Sequence, residues 1–267
     1  MRVGRLLIVL ALLTAATAGL EERARSVHAQ GQPAAAASAT PRMPDGKPNF
    51  SGFWDPPKRP GPNGTFARVF DPERMAPFQP GAEPLFNVKR TGNPQIDEPR
   101  AFCWPSGFPW GIFAPYAMQM VQTNEYLVMV HEMGTTRMIP LDGRPHRTDI
   151  EPTFYGDPVG RWEGDTLVID TRNFKRWILD DSFNFQPVFV RWHSDALHTI
   201  ERMRWTGPTR VSWEITVDDP KIFTRPWTQE FFLEFRPDWN KGGLIEFVCQ
   251  ENNRCEGGKC KPFEDAK

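Results

Sequence analysis

Polar and apolar residues alternate one by one through much of the second half of the chain. In "RVSWEITVDD" the apolar positions are Val211, Trp213, Ile215 and Val217, and the stretch "WTQEFFLEFRP" repeats the pattern. Successive side chains of a β-strand point to opposite faces, so a period of two predicts strands with one buried and one solvated face. A chain built from such segments folds as an antiparallel sheet protein.

Short turn sequences join several of these segments and predict β-hairpins. "EYLVMVHE" and "TTRMIPL" are separated by Met133 and Gly134, and "HTIERMRW" and "RVSWEITVDD" flank "TGPT". In "GRWEGDTLVIDT", strands at 159–162 and 166–171 flank a turn in which Gly164 supplies the positive φ of a tight hairpin. We interpret the carboxylates beside this glycine as turn residues. "GLIEFVCQE" predicts the last strand.

Consecutive strands without helical crossovers predict an all-β fold, namely an antiparallel up-and-down meander closed into a lipocalin-like barrel. A β-sandwich is the alternative, because alternation alone does not distinguish closure from stacking. The chain has 27 prolines, which argue against long helices. The proline-rich region from Asp55 to Gly111 predicts long ordered loops around the barrel, with at most a short helix within 72–86.

The N-terminus has the features of an export signal. Arg2 and Arg5 precede an apolar run at 6–13, which is too short to span a bilayer. Small residues permit cleavage after Ala18 or after Ala29, and we favour the second site.

These features predict three parts of the chain. We expect a signal peptide at 1–29, a disordered leader rich in Ala, Pro and Ser at 30–47, and a single β-barrel domain at 48–267. The mature protein is therefore expected in the periplasm or secreted, without a stable membrane anchor.

Four cysteines, an even number, predict disulfides in an exported chain. Three pairings are possible. Cys255 and Cys260 enclose a short Gly-rich loop, which leaves Cys103 with Cys249 as a long-range link. A zinc site would need tighter C-x-x-C pairs, so we favour disulfides and predict no metal.

Charge and motifs exclude several classes of function. The formal net charge is −1 and no run of Lys and Arg exceeds a pair, so no nucleic-acid partner is expected. The sequence contains no G-x-G-x-x-G unit, no Walker loop and no H-E-x-x-H. We therefore expect no cofactor, and an enzyme with this sequence would be cofactor-independent.

The segment "HSDALHTIE" gathers His193, Asp195, His198 and Glu201, which we predict as the catalytic residues. A histidine held by a carboxylate is an ordinary general acid–base pair near neutral pH. On a straight strand Glu201 faces away from His198, so convergence requires a bend at "HSDAL". A hydrogen-bonded pair that fixes the strand entrance is the structural alternative, and a metal site is a third.

Other residues predict a ligand site on loops and among aromatic rings. Arg144 lies in a loop and suits a carboxylate or enol oxygen, and "FCWPSGFPWGIF" is apolar enough to plug one barrel end or line an entrance. The predicted ligand-binding residues are His146, Arg144, Tyr155, Asp180, Trp110 and Trp213.

Four motifs carry a resemblance: "PDGKPNFSGFW", "GRWEGDTLVIDT", "HSDALHTIERMRW" and "DDPKIFTRPWT". In this order they resemble a large family of exported proteins of environmental bacteria, across nearly the whole mature chain. We expect a lipocalin-like architecture for this family, and the resemblance implies no defined activity. The chain departs from the pattern at Gln250, where relatives often have a histidine.

Together these features predict an exported β-barrel that encloses a small apolar or aromatic molecule. His198 with Asp195 or Glu201 would transfer protons, as in an isomerase, a lyase or dehydratase, or a cyclase. The alternative is a periplasmic carrier that binds a hydrophobic ligand without catalysis. A third hypothesis is a structural module whose barrel is filled by its own Trp and Phe.

Overall fold

Antiparallel β-sheets dominate the structure of the protein, which is a computed structural model. The all-β class predicted from the alternation is therefore confirmed. The structure describes residues 40–61, 65–93, 97, 99–132, 134–180, 189–241, 243–247, 249, 255–256 and 259–260.

Most of the longer strands belong to two large sheets. In chain order the strands are β1 (Gly52–Trp54), β2 (Arg59–Pro60), β3 (Phe66–Ala67), β4 (Asn87–Lys89), β5 (Met118–Gln122), β6 (Tyr126–His131), β7 (Thr135–Pro140), β8 (Asp157–Glu163), β9 (Thr166–Arg172), β10 (Trp177–Asp180), β11 (Phe189–His193), β12 (His198–Trp205), β13 (Arg210–Asp218), β14 (Trp227–Glu234), β15 (Cys255–Glu256) and β16 (Lys259–Cys260). The first large sheet has the order β1-β5-β6-β7 and the second has the order β14-β13-β12-β9-β8. A smaller sheet has the order β10-β11-β4, and β2-β3 and β15-β16 are two-stranded ribbons.

Helical structure is sparse in the described residues. A single turn of α-helix, α1 (Glu83–Phe86), lies within the region predicted to hold at most a short helix, and its proline occupies the first turn, where the missing N–H costs no hydrogen bond. Short 3₁₀ helices lie at Pro72–Arg74, Pro99–Phe102, Trp110–Phe113 and Pro237–Lys241. None of the helices formed by the described residues has the length and apolar content that crossing a bilayer requires.

The predicted hairpins are present. β6 and β7 form one hairpin, in which His131 pairs with Thr135. β12 and β13 form another, in which Trp205 pairs with Val211 across the "TGPT" turn. Burial alternates along β14, as the sequence pattern predicts, so one face of the strand packs into the core.

The "GRWEGDTLVIDT" motif forms the hairpin of β8 and β9. Its two-residue connection is Gly164-Asp165, and Gly164 has a φ of +60°, as the turn prediction requires. Asp165 forms a surface ion pair with Arg42, with an N···O distance of 2.6 Å, and Glu163 pairs with Arg202 at 2.8 Å. The carboxylates beside Gly164 therefore attach the hairpin to Arg42 and to Arg202 of the neighbouring strand.

The described chain begins inside the predicted leader. The segment 1–29, predicted as a signal peptide, lies outside the described residues, as do residues 30–39. Residues 41–49 form a closed loop, in which Asn49 N donates to Pro41 O and Met43 N donates to Lys47 O, each at 2.8 Å. Part of the segment 30–47 therefore contacts the sheet, because Arg42 pairs with the β8–β9 turn.

The prediction of a last strand at "GLIEFVCQE" is wrong for its described residues, because 243–247 form no strand. Residues from the N-terminal part of the described chain occupy the edge of β14 that faces away from β13. Asp55 N donates to Glu234 O at 3.0 Å, and Lys58 exchanges two backbone hydrogen bonds with Phe232. Since β13 covers the opposite edge, a further strand has no edge of β14 to pair with.

Both edges of the first large sheet lie against the second. At the β1 edge, Arg236 N donates to Phe53 O at 2.8 Å. Beyond the end of β7, Gly143 N donates to Gly160 O of β8 at 3.0 Å. Gly160 permits this approach, because a Cβ there would lie 2.8 Å from the side chain of Leu141.

The larger of two apolar core clusters in the described residues joins both large sheets. It contains Met118, Met129 and Ile139 of the first sheet and Trp213, Phe231 and Leu233 of the second. Many of its aromatic members are in edge or tilted contact, such as Phe113 and Phe231, whose ring centroids are 4.9 Å apart, and others are stacked, such as Phe108 on Phe174. The protein thus fills much of the space between the sheets with its own aromatic side chains.

Candidate functional site

The predicted catalytic residues do not converge. On β12, His198 and Glu201 lie on opposite faces, as the geometry of a straight strand predicts. Asp195 is exposed and forms an ion pair with Lys221, with an N···O distance of 2.7 Å. The bend at "HSDAL" therefore turns Asp195 toward solvent and not back toward His198.

His193 is a buried structural residue at the end of β11. Its Nδ1 lies 2.8 Å from the backbone oxygen of Ser194, and its ring packs edge-on against Phe174. Burial, together with the nearby charge of Arg176, lowers the pKa of His193 to about 4. The imidazole is therefore neutral near pH 7 and donates its Nδ1 proton to the backbone.

Glu201 lies inside the protein and is bound on both oxygens. Arg137 donates to both carboxylate oxygens, at 2.6 and 2.8 Å, and Trp213 Nε1 donates to one of them at 3.2 Å. The same guanidinium donates to Thr171 Oγ1 at 2.8 Å and stacks on Phe108 at 4.0 Å. Glu201 therefore forms an internal link between β7 and β12, and Trp213, which was predicted to bind a ligand, lies fully buried in the core.

A second histidine converges with His198. Asp170 Oδ1 lies 2.9 Å from His146 Nε2 and 3.0 Å from His198 Nε2. The other ring nitrogen of His146 lies 3.3 Å from Asp157 Oδ2, and that of His198 lies 3.9 Å from Asp218. We call these five residues the Asp170 cluster.

The Asp170 cluster lies on the face of the second sheet opposite to Glu201. Burial disfavours the charge on Asp170, but the hydrogen bonds from His146 and His198 outweigh it and lower the pKa of Asp170. Arg147 donates its backbone N–H and its Nε to Asp157. The cluster therefore attaches the loop that follows β7 to strands β8, β9 and β12.

Two further predicted ligand-binding residues lie away from any shared site. Asp180 is fully buried and accepts hydrogen bonds from Arg191, at 3.1 Å, and from the backbone N of Phe70, at 2.9 Å. Arg144 is exposed and pairs with Asp142 at 2.7 Å. Asp180 stabilises the small sheet and its neighbouring loop, and Arg144 stabilises its own turn.

Tyr155 lines a pocket near the β6–β7 turn, and Trp110 packs against Arg100 of its wall. The pocket has a volume of about 540 Å³. Its walls come from the segment that begins at the 3₁₀ helix Pro99–Phe102, the start of β7, the turn before β8 and the C-terminal segment. We call it the Tyr155 pocket; it is lined by Arg100, Trp104, Ser106, Thr135, Tyr155 and Phe247, together with the disulfide described next.

A disulfide and a tryptophan hold the pocket wall. Cys103 is bonded to Cys249, which confirms that the chain contains a disulfide and is one of the three pairings that the sequence left possible, and both residues line the pocket. Trp177 Nε1 lies 3.1 Å from Pro105 O and 3.0 Å from Ser106 O, so β10 supports the same wall. The predicted pairing of Cys255 with Cys260 involves side chains outside the described ones, although β15 and β16 place these two residues opposite each other.

Tyr155 contributes a buried hydroxyl to this site. Thr135 and the backbone of Gly107 lie near its Oη, yet within the described residues no group meets it in hydrogen-bonding geometry. Burial raises the pKa of Tyr155, against the opposing effects of its polar neighbours and of Arg137 and Arg100. The phenol is therefore protonated near pH 7 and is a hydrogen-bond donor beside two cations.

Trp110 orients the cation of the pocket. The Arg100 guanidinium lies 3.9 Å from the centre of the Trp110 ring, and Trp110 itself is buried. Stacking uses the flat face of a guanidinium, while its N–H groups lie in the plane of the group. Trp110 therefore supports Arg100 and is not itself among the residues that line the pocket.

Arg137 and Arg100 escaped the sequence analysis. Arg137 lies in "TTRMIPL" on the same face as Ile139, which is fully buried, so the alternation places a charged residue on the inward face of β7. Glu201 occupies an inward position of β12 in the same way. Two inward-facing residues of opposite charge on different strands are the sequence signal that would have predicted the Arg137–Glu201 ion pair.

Within the described residues, no group of three or more His, Cys, Asp or Glu side chains is arranged to hold a metal ion. The chain matches no protein-family model, and a search of curated proteins found no match. The resemblance to exported bacterial proteins therefore stays a prediction.

Proposed function

We propose that the protein binds a small apolar or aromatic molecule in the Tyr155 pocket. The observation that carries this proposal is the composition of the pocket wall. Trp104, Phe247 and the disulfide supply apolar surface, and Arg100, Ser106, Thr135 and Tyr155 supply a few polar groups. Small-molecule sites combine apolar walls and a few orienting polar groups in this way, and 540 Å³ is within their usual range.

We infer that the two large sheets are the walls of a lipocalin-like barrel. The backbone hydrogen bonds from Arg236 to Phe53 and from Gly143 to Gly160, one at each junction of the sheets, support closure. Because core side chains fill the interior, the proposed ligand site lies at the β6–β7 end of this barrel and not at its centre.

The proposed location is the periplasm or the extracellular space. The export-type N-terminus and the disulfide support it, because disulfides persist mainly in oxidising compartments. A ligand site in such a protein is exposed to molecules that arrive from outside the cell.

A catalytic form of the same proposal is cofactor-independent proton transfer in the pocket. The protonated phenol of Tyr155 favours it, since the described residues offer it no partner in hydrogen-bonding geometry and such a group donates a proton or a hydrogen bond to a carbonyl or enolate oxygen. This chemistry suits the isomerase, lyase and cyclase classes predicted from sequence, with Tyr155 in the place that sequence reasoning gave to His198.

Native mass spectrometry of residues 30–267, purified from the periplasm with its disulfides intact, tests the binding proposal. Thr136→Trp fills the pocket from its exposed rim, because Thr136 lines it. Met138→Trp is the matched control, since Met138 is exposed on the same face of β7 and does not line the pocket. We expect a retained organic mass in the wild type and in Met138→Trp, and its loss in Thr136→Trp. A mass retained equally by all three proteins contradicts the proposal.

A further inference from the structure

The disulfide in the wall of the Tyr155 pocket lies at the surface of the protein. Cys103 is exposed, Cys249 is half-buried, and both residues line the pocket. The pocket volume of about 540 Å³ is in the range that holds drug-sized molecules, and small thiols such as glutathione are of that size. A thiolate has to reach one of the two sulfurs to open a disulfide, so exposed disulfides are reduced more easily than covered ones.

The backbone at Cys103 has an unfavourable conformation. Its φ is +61°, in the left-handed region, where the Cβ of an L residue comes close to the carbonyl oxygen that follows. Cys103 comes directly after the 3₁₀ helix Pro99–Phe102, and glycine is the usual residue in this conformation at the end of a helix. Strained disulfides, like exposed ones, are the more easily reduced class. The geometry of the chain therefore favours opening at this position.

The disulfide attaches a sparsely held C-terminal segment to the pocket. In its described part, 243–247 and Cys249, no residue is buried, and Ile245 is 75% exposed. Among the described residues, the backbone of 243–247 forms a single hydrogen bond, from its first residue to Trp239 nearby. Phe247 and Cys249 nevertheless form part of the pocket wall. Opening of the disulfide would therefore leave this part of the wall with few contacts in the described structure.

We propose that the Tyr155 pocket is a site of thiol–disulfide exchange with a low-molecular-weight thiol. The exchange opens the Cys103–Cys249 bond and releases the C-terminal segment from the pocket wall. A molecule bound in the pocket is then released, because the wall that includes Phe247 is lost. This last consequence rests on the proposed function, whereas the exchange itself does not.

The reaction consists of two displacements. The thiolate of the small thiol attacks Cys103 Sγ, which belongs to the more exposed of the two cysteines, and the bond from this sulfur to Cys249 breaks. Cys249 leaves as a thiolate and takes a proton from water. A second small thiolate attacks the sulfur of the first one in the mixed disulfide, and Cys103 leaves in the same way. Two small thiols are thus oxidised to one disulfide, and the protein disulfide is reduced to two thiols.

Reaction of the folded mature chain with reduced glutathione tests the exchange. Cys255→Ser/Cys260→Ser leaves Cys103–Cys249 as the one disulfide that the chain can form, and peptide mapping follows the same bond in the wild type. Samples are quenched with N-ethylmaleimide and analysed by mass spectrometry. We expect one glutathione on Cys103, then two free thiols, at a rate that low concentrations of urea do not change. A disulfide that reacts only as the protein unfolds globally overturns the proposal.

Two tryptophan variants test whether the thiol reacts through the pocket. Thr136 and Met138 are both exposed on β7, and of these two only Thr136 lines the pocket. We expect Thr136→Trp to slow the reaction with glutathione about tenfold, because the indole covers the route to the disulfide, and Met138→Trp to leave the rate unchanged. Equal rates in the two variants would show that the pocket is not the site of exchange.

Proteolysis with thermolysin, which cleaves before large apolar residues, measures release of the C-terminal segment. The reduced protein is alkylated and separated from the thiol before the protease is added. We expect cleavage before Ile245 or Phe247 to be about tenfold faster than in the oxidised protein, because the segment has lost its covalent attachment. Cys103→Ser/Cys249→Ser should be cleaved as fast without any thiol. Equally slow cleavage of the oxidised and reduced proteins contradicts the release.

The outcomes separate this inference from the proposed function, because the exchange assay contains no other ligand. If the wild type retains an organic molecule but its disulfide resists glutathione in the folded state, this inference is wrong and the proposed function stands. If glutathione reacts through the pocket and no organic molecule is retained on purification, the inference stands and the proposed function is wrong.

Discussion

Arg137 and Glu201 form a two-pronged ion pair across the protein interior, with N···O distances of 2.6 and 2.8 Å, and both side chains are almost completely buried. The pair connects the first large sheet to the second. Trp213 Nε1 donates a further hydrogen bond to Glu201, and Arg137 donates one to Thr171 Oγ1. A residue that the sequence predicted as catalytic thus fixes the relative position of two sheets.

We expect Glu201→Gln to lower the free energy of unfolding by about 3–5 kcal/mol, because it leaves the buried charge of Arg137 without a counter-charge. The free energy of unfolding should decrease less in the double variant Arg137→Met/Glu201→Met than in either single variant, since an apolar pair carries no desolvation cost. Urea unfolding monitored by tryptophan fluorescence measures both effects. Additive losses in the double variant would show that the two side chains are not coupled.

The disulfide should stabilise both the fold and the Tyr155 pocket. It joins Cys103 to Cys249 across a sequence separation of 146 residues, so it constrains a long loop of the unfolded chain. We expect Cys103→Ser/Cys249→Ser to lower the free energy of unfolding by about 2–4 kcal/mol and to abolish ligand retention. Cys255→Ser/Cys260→Ser is the control. Retention of the ligand by Cys103→Ser/Cys249→Ser would contradict this role of the disulfide.

The free energy of unfolding should decrease as the pH decreases, because two histidines are buried in the folded protein. Burial lowers the pKa of His131 to about 4, as it does for His193. Since the unfolded value is about 6.5, the unfolded state binds more protons below that pH. The stabilisation is complete above pH 6.5 and is lost as the pH falls toward 4, on the order of 3 kcal/mol for each histidine.

Urea unfolding at pH 7, 6 and 5 measures this dependence. His193→Gln should reduce the slope of stability against pH, because it removes one of the two titrating groups. A wild-type stability that is constant between pH 7 and pH 5 would show that these histidines are not buried in the neutral form.

Asp170 should hold the loop that follows β7. Asp170→Asn removes the charge on which His146 and His198 converge, and we expect tryptic cleavage after Arg147 to become about tenfold faster. Limited proteolysis followed by mass spectrometry measures the rate. Glu163→Gln is the control, since Glu163 is a surface carboxylate of the same sheet that pairs with other arginines. Equal rates in all three proteins would refute the anchoring role.

Local patterns in the sequence predicted the strands of the second half well. The alternation at β13 and β14 and the glycine of the β8–β9 turn are properties of neighbouring residues, so they are visible without a fold. The strand expected at 243–247 failed for a non-local reason. Residues near Asp55 and Lys58, almost two hundred positions earlier, occupy the edge of β14.

The site depended on the same kind of long-range contact. Sequence proximity grouped His193, Asp195, His198 and Glu201, but a strand sends neighbouring side chains to opposite faces. His198 instead meets His146, fifty-two residues away by number, through Asp170. Proximity along the chain therefore grouped residues that the sheet separates.

The sequence by itself determined the all-β class and the main hairpins, because they follow from local periodicity and turn chemistry. It predicted disulfides but left three pairings possible, and the structure decided that Cys103 is bonded to Cys249. Only the tertiary structure decided which side chains meet. It placed Arg137 on Glu201 and assembled the Tyr155 pocket from four separate segments, because strand register and packing bring together residues that are distant along the chain.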